Sequence, residues 1–257
     1  MITKTLGFIG GGRITRIFLQ AFRNKDVSFD SVVVYDHNPE NGANLKKQFP
    51  FIGLSGIEKA TAQELVMIAL HPPVIMETLD KIKSIIPEKT YLISLAPKIS
   101  IGKISEKLGN AARIVRLIPN ATSIINEGYN PVCFSSSIQE GEKQSLLEIF
   151  GTLGKTFEVP ESKLEAYAIV SAMAPTYFWF QWKKLCEIGQ QIGLDKEASE
   201  QAVSQTLYAA LNTMFKSGLD WNEVRDLIPV KPIGEYEEEI MNMFENKLVG
   251  LHQKISP

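Results

Sequence analysis

Three consecutive glycines, Gly10, Gly11 and Gly12, end the apolar run Leu6-Gly7-Phe8-Ile9, and an apolar-periodic stretch starts at once behind them. The order strand, tight turn, helix delivers backbone N–H groups to a phosphate at a helix N-terminus. Gly10 and Gly12 take the first two positions of G-x-G-x-x-G, those of the tight turn and of close approach to a pyrophosphate. The third is Thr15, so helix–strand packing there must accept a larger residue. Arg13 and Arg16 flank Ile14 in the first helical turn. Cations there oppose the helix dipole by about 0.3–1 kcal/mol each, which fits a bound anion at that terminus better than it fits two solvated surface arginines. Asp36 closes the next β-branched run, Ser31-Val32-Val33-Val34-Tyr35. A carboxylate at that spacing accepts from the ribose hydroxyls of a dinucleotide, or simply braces the turn Asp36-His37-Asn38-Pro39. It would repel a 2′-phosphate and so leans the cofactor, NAD(P)H, slightly toward NADH. His37, Asn38 and Arg13 could hold that phosphate instead, and the preference stays open.

The elements that must position these residues are legible in the periodicity. Short apolar runs at Leu6–Ile9, 31–35, 52–54, 65–70, 91–95, 114–118 and 131–134 alternate with helical patterns, notably 74–86 and 101–108. Near-continuous apolar strands alternating with helices predict a parallel sheet covered on both faces. A further amphipathic helix over 139–153 closes this part, and Glu158-Val159-Pro160 is the last strand-like piece. Beyond it only helices are expected: a long aromatic-rich segment over 162–192, a helix over 196–216, one from Trp221 to Leu227 capped by Asp220, and a final one carrying Ile240, Phe244, Leu248 and Leu251 on one face. The expected organisation is α/β: a Rossmann-type dinucleotide-binding domain with a parallel sheet over 1–157, then an all-helical domain over 158–257.

Composition narrows the partners. A net charge of -2 without a basic tail argues against nucleic acid or an anionic membrane. No apolar run approaches the length that spans a bilayer, and Met1-Ile2-Thr3-Lys4-Thr5 leaves no room for a signal peptide, so a cytoplasmic protein is expected. Cys133 and Cys186 offer no disulfide framework, and His37, His71 and His252 stand too far apart, without cysteine partners, to predict a metal site.

Four stretches together resemble the pyrroline-5-carboxylate reductases, which reduce a cyclic imine to proline with NAD(P)H. Gly7-Phe8-Ile9-Gly10-Gly11-Gly12 is similar to the family's opening strand and turn, and Arg116-Leu117-Ile118-Pro119-Asn120 to its Arg-x-Met-Pro-Asn segment. Ser171-Ala172-Met173-Ala174-Pro175-Thr176-Tyr177 falls where the family has Ser-Gly-Ser-Gly-Pro-Ala-Tyr, and Leu70-His71-Pro72 where it has Val-Lys-Pro. The resemblance implies cofactor contacts from Gly10, Gly12, Arg13, Ile14, Asp36, His37, Asn38, Leu70, His71, Pro72, Ala96 and Asn120. It implies a substrate side built from Glu161, Ser171 and Thr176, and a homodimer formed through the C-terminal helices.

The departures fall mostly on the substrate side. A lysine has become His71, and the family's Ser-Ala-Ala-Gly reads Ser94-Leu95-Ala96-Pro97-Lys98, without its glycine. Ala172, Met173 and Ala174 replace a hydroxyl and two glycines. The loop Val230-Lys231-Pro232-Ile233-Gly234-Glu235 lacks the two threonines of the family's Ser-Pro-Gly-Gly-Thr-Thr. Three readings follow: a reductase of a pyrroline-type cyclic imine, the same cofactor chemistry on another imine or carbonyl compound, or a dinucleotide-binding protein without activity.

Overall fold

The computed structural model describes residues 5–109 and 113–256. By its own contacts the chain forms two compact units, Met1–Met173 with Leu251–Pro257, and Ala174–Gly250.

In the first unit, eight strands form one sheet in the order β3-β2-β1-β4-β5-β6-β7-β8. They are β1 (Thr5–Ile9), β2 (Ser31–Tyr35), β3 (Gly53–Leu54), β4 (Leu65–Ile68), β5 (Tyr91–Ser94), β6 (Arg113–Leu117), β7 (Gly128–Phe134) and β8 (Gly154–Glu158). The helices α1 (Arg13–Asn24), α2 (Pro39–Gln48), α3 (Ile57–Thr61), α4 (Pro72–Ile82), α5 (Ile101–Leu108), α6 (Glu140–Gly151) and α7 (Leu164–Tyr167) connect or follow them. Side chains alternate between faces along a strand. Leu65 and Met67 of β4 therefore enter one apolar layer with Phe8, Phe18 and Ile93, while Val66 and Ile68 enter the other with Ile75, Leu92 and Ile114. A strand buried on both faces must be apolar at every position, and the uninterrupted runs read from the sequence are its signature.

The expectation of a parallel sheet holds from β3 to β6 and needs correction beyond. β7 runs antiparallel to β6, with Arg116 opposite Cys133, and β8 is parallel to β7. The cause is the connection. Residues 118–127 hold one short turn of tight helix, Ala121–Ile125, too little chain for the crossover that a parallel neighbour demands. The last strand also lies earlier than Glu158-Val159-Pro160 suggests, since Pro160 has no N–H to offer a ladder.

The aromatic-rich segment over 162–192 is helical but not one continuous helix. After α7 the chain widens into a π-turn over Ala168–Ala172, closed by the Met173 N–H donating to the Ala168 carbonyl at 3.0 Å. Helix α8 (Pro175–Gln191) then restarts with proline in its first turn, where the missing N–H costs nothing.

The second unit holds α8, α9 (Lys196–Lys216), α10 (Trp221–Asp226) and most of α11 (Glu237–Ile255). Asp195 caps α9 through Ala198 N–H at 2.8 Å, and Asp220 with Glu223 forms a capping box on α10. Helices α8 and α9 lie close because Gly189 faces the Ser199 hydroxyl, which donates to the Cys186 carbonyl at 2.7 Å. Among the described residues no helix is long and apolar enough to cross a membrane.

At Gly7, in the centre of β1, an added Cβ would collide with the Ala60 carbonyl at the end of α3. Gly7→Ala should therefore cost about 1–3 kcal/mol, the range for overpacking a tight core, read as a lower midpoint in urea unfolding.

Candidate functional site

The order of strands reverses between β1 and β4, and in open α/β sheets ligands bind in the crevice outside the strand ends at that point. A cavity of about 290 Å³ opens there. It brings together Gly12, Arg13 and Ile14 from the β1–α1 turn, Leu70, His71 and Pro72 from the β4–α4 turn, and Ala96 behind β5. Ile118, Ala172 and Met173 line its far end.

The three glycines meet different demands. Gly10 has φ +109, a conformation that side chains resist, and a Cβ there would strike the Ala69 carbonyl. Its N–H donates to the Tyr35 carbonyl at 2.7 Å, and the Thr15 hydroxyl donates to the Gly10 carbonyl at 2.5 Å. Thr15, fully buried, thus stitches the turn to α1 from the third position of the motif. Gly11 donates its N–H to Asp36 Oδ2 at 2.7 Å. Gly12 is otherwise: a Cβ built on it meets nothing within 4 Å. Protein packing does not require a glycine there, whereas a ligand drawn against the backbone does.

Charge points the same way. Helix α1 has no acidic residue in its first turn and no side chain on its N-cap Gly12. The first N–H groups of a helix have no acceptor within it, so these donors face the cavity rim, with Arg13 and Arg16 exposed beside them. This donor set fits the pyrophosphate of a dinucleotide.

The other expected residues are placed as follows. Asp36 braces the turn: besides Gly11, its carboxylate accepts from Asn38 N–H at 2.8 Å and Asn41 Nδ2 at 3.3 Å. His37 lies beside it, Nδ1 3.5 Å from Asp36 Oδ1, with most of its ring in solvent. Asn38 caps α2 through Glu40 N–H at 3.0 Å. Asn120 and Ser171 are brought together, the amide donating to the Ser171 carbonyl at 3.1 Å and hydroxyl at 3.2 Å, while Ser171 donates to the Tyr129 carbonyl. The Asn120 side chain is buried and its oxygen accepts from Thr122 N–H and hydroxyl, so the amide ties the π-turn to the end of β6. Glu161 Oε1 accepts from Arg116 at 2.9 Å and from Ile101 N–H at 2.7 Å. Thr176 belongs to the second unit, where it borders a cavity of about 470 Å³ with Tyr177, Phe180, Ile240 and Phe244.

Sequence reasoning assigned no role to Arg116 or Glu165. Arg116 is completely buried and pairs with Glu165 at 2.5 Å as well as with Glu161. An arginine inside an otherwise apolar strand was the available signal, because a buried guanidinium requires a carboxylate. Burial, with the Glu161 carboxylate adding to it, pushes the neighbouring Cys133 thiol up to about 12, which keeps it protonated. Among the described residues no group of three or more His, Cys, Asp and Glu could hold a metal ion.

Gly12→Ala should leave stability within about 0.5 kcal/mol of the parent, as for an ordinary unstrained surface change, yet weaken dinucleotide binding at least about tenfold, or 1.4 kcal/mol. Gly10→Ala should lower stability itself, so thermal unfolding and cofactor titration together separate the two glycines.

Comparison with known proteins agrees with this geometry. Residues 5–98 match the family described as NADP oxidoreductase coenzyme F420-dependent. The pyrroline-5-carboxylate reductase of Corynebacterium melassecola is 22% identical over 250 residues, covering 96% of this chain and 92% of its own. Pyrroline-5-carboxylate reductase 1 of Bacillus subtilis is 24% identical, covering 88% and 77%. Among solved structures, the NADP-bound pyrroline carboxylate reductase of Plasmodium falciparum superposes with a TM-score of 0.81 at 23% identity, covering 99% of this chain and 96% of the other. The enzyme of Streptococcus pyogenes gives 0.82 at 17%, covering 98% and 97%. Along nearly its whole length the chain is similar to the pyrroline-5-carboxylate reductases.

Proposed function

We propose that the chain is an NAD(P)H-dependent reductase acting on the C=N bond of a cyclic imine of the pyrroline-5-carboxylate type. The observation that carries this reading is the open space at Gly12, in a crevice at the strand-order reversal whose donors match a pyrophosphate. The nicotinamide, when bound, supplies the hydride; the protein supplies position and charge. The first N–H groups of α1 and Arg13 hold the phosphates. Asp36 keeps the turn in shape and, as a carboxylate at the end of β2, disfavours a 2′-phosphate, which tips the preference toward NADH. Leu70, Pro72 and Ala96 form the apolar wall beside the reacting end. His71 lines the crevice beside this wall, where its imidazole can hydrogen-bond the cofactor or the imine nitrogen. Glu161, Ser171 and Asn120 shape the substrate side through the contacts they make.

A second reading keeps the cofactor and changes the substrate to another imine or a carbonyl compound. Met173 favours it, because it lines the crevice at a position where the resembled family has a small residue. NADH and NADPH oxidation followed first with pyrroline-5-carboxylate, then with other cyclic imines and 2-keto acids, tests both. Turnover of the first at about 1–1000 per second establishes the parental activity. Turnover of another compound alone selects the second reading, and dinucleotide binding without any turnover removes both.

We further infer that a second copy of the chain covers the helical unit. Its fully buried residues are only Gly189 and Ser199 among those described, while Phe180 is 65% exposed, Phe215 71% and Ile228 67%. Helices that bury no core of their own need one from a partner. Light scattering should give twice the 28.7 kDa of one chain, and Phe180→Glu should return the monomer mass.

A further inference from the structure

Arg116 stands near the C-terminal end of β6 with no exposed surface. Two carboxylates four residues apart converge on it: Glu165 Oε1 lies 2.5 Å from one terminal nitrogen and Glu161 Oε1 2.9 Å from the other. Each of these oxygens also accepts a backbone N–H from the chain behind β5. Glu161 takes that of Ile101, the first residue of α5, at 2.7 Å. Glu165 takes that of Lys98 at 3.1 Å. Lys98 has φ +78, a left-handed conformation that a residue with a Cβ resists. It directly follows Ala96 and Pro97, which line the crevice. No glycine in this turn relieves the strain, so its shape is held from outside. The acceptor that holds it is Glu165, which is only 2% exposed and is itself fixed by Arg116.

We propose that Glu165 is a positioning residue for the cofactor crevice: pinned by Arg116, it grips the Lys98 N–H and sets the 95–98 turn against which the nicotinamide half of a bound dinucleotide rests. The proposal rests on the cofactor reading given above. It separates the two halves of the cofactor, because the phosphate turn is braced independently by Asp36 through Gly11. Loss of Glu165 must therefore weaken contacts with the nicotinamide end and spare those with the adenosine diphosphate end.

Three probes read this difference directly: NADH, NADPH and ADP-ribose, the last having no nicotinamide, each titrated by fluorescence or calorimetry. Glu165→Gln should bind NADH about tenfold more weakly while ADP-ribose stays within about twofold. Removing one partner of a buried ion pair can unfold a protein, whereas replacing the charges together by apolar groups is often tolerated. The change Arg116→Met/Glu161→Gln/Glu165→Leu, which removes all three charges together, therefore serves as the second variant and should show the same selective loss. Glycine at 98 adopts the left-handed turn without help, so Glu165→Gln/Lys98→Gly should bind NADH within about threefold of Lys98→Gly alone, a non-additive rescue. Equal losses for NADH and ADP-ribose, no loss at all, or no rescue by glycine overturns the proposal. Failure of the unaltered protein to bind any of the three probes instead overturns the cofactor reading, and this proposal with it.

Discussion

A guanidinium with no access to solvent is the constraint around which the C-terminal edge of the sheet is arranged. An uncompensated buried charge costs several kcal/mol, and Arg116 meets that demand by drawing Glu161 and Glu165 onto it from the chain that follows β8. The two carboxylates would repel each other across one helical turn were the arginine not between them. Each then has lone pairs left over, and the nearest donors are the N–H groups of Lys98 and Ile101. One charge in a strand thus fixes the entry to α5, a strained turn and the start of the segment that leads to the π-turn. The cluster need not add net stability to have this effect. It specifies geometry.

The β1–α1 turn shows the same division between what the fold requires and what a ligand requires. Gly10 is demanded by backbone conformation and by the Ala69 carbonyl, and Gly11 sits over the Asp36 side chain. Gly12 answers to neither. Thr15, where a third glycine would allow close helix–strand packing, instead uses its hydroxyl to reach the Gly10 carbonyl. The packing is kept by a hydrogen bond in place of an absent side chain. Arg13 and Arg16, unfavourable beside the positive end of α1 and without an ion pair to any described residue, fall into place when an anion is admitted there.

Much of the fold was legible because its signals are local. The β-branched run 31–35 became β2 as read, Ile101–Leu108 and Lys196–Lys216 are helices at the expected bounds, and Asp220 caps its helix. The misses required information that no window of sequence holds. The reversal of β7 depends on how little chain joins it to β6. The π-turn at Ala168–Ala172 is tied by Asn120, some fifty positions earlier, whose amide donates to the Ser171 carbonyl. Glu161 could be read as a substrate residue or a helix-start acid, and Glu165 drew no notice, because neither contains a sign that their partner is an arginine in a distant strand.

The crevice itself is uneven in what it can recognise. Its phosphate end offers backbone donors, Arg13 and, beside it, Arg16. Its far end offers Ile118, Ala168, Ala172 and Met173, which present no hydrogen-bonding side-chain group beyond a thioether. A site that hydrogen-bonds its substrate rejects analogues lacking the matching group by large factors, while an apolar wall discriminates by size alone and weakly. Asn120 and Ser171, the polar residues nearest in the chain to that wall, are engaged with each other and with the backbone. Within this unit, then, the crevice offers polar donors at the α1 end and an apolar wall at the other.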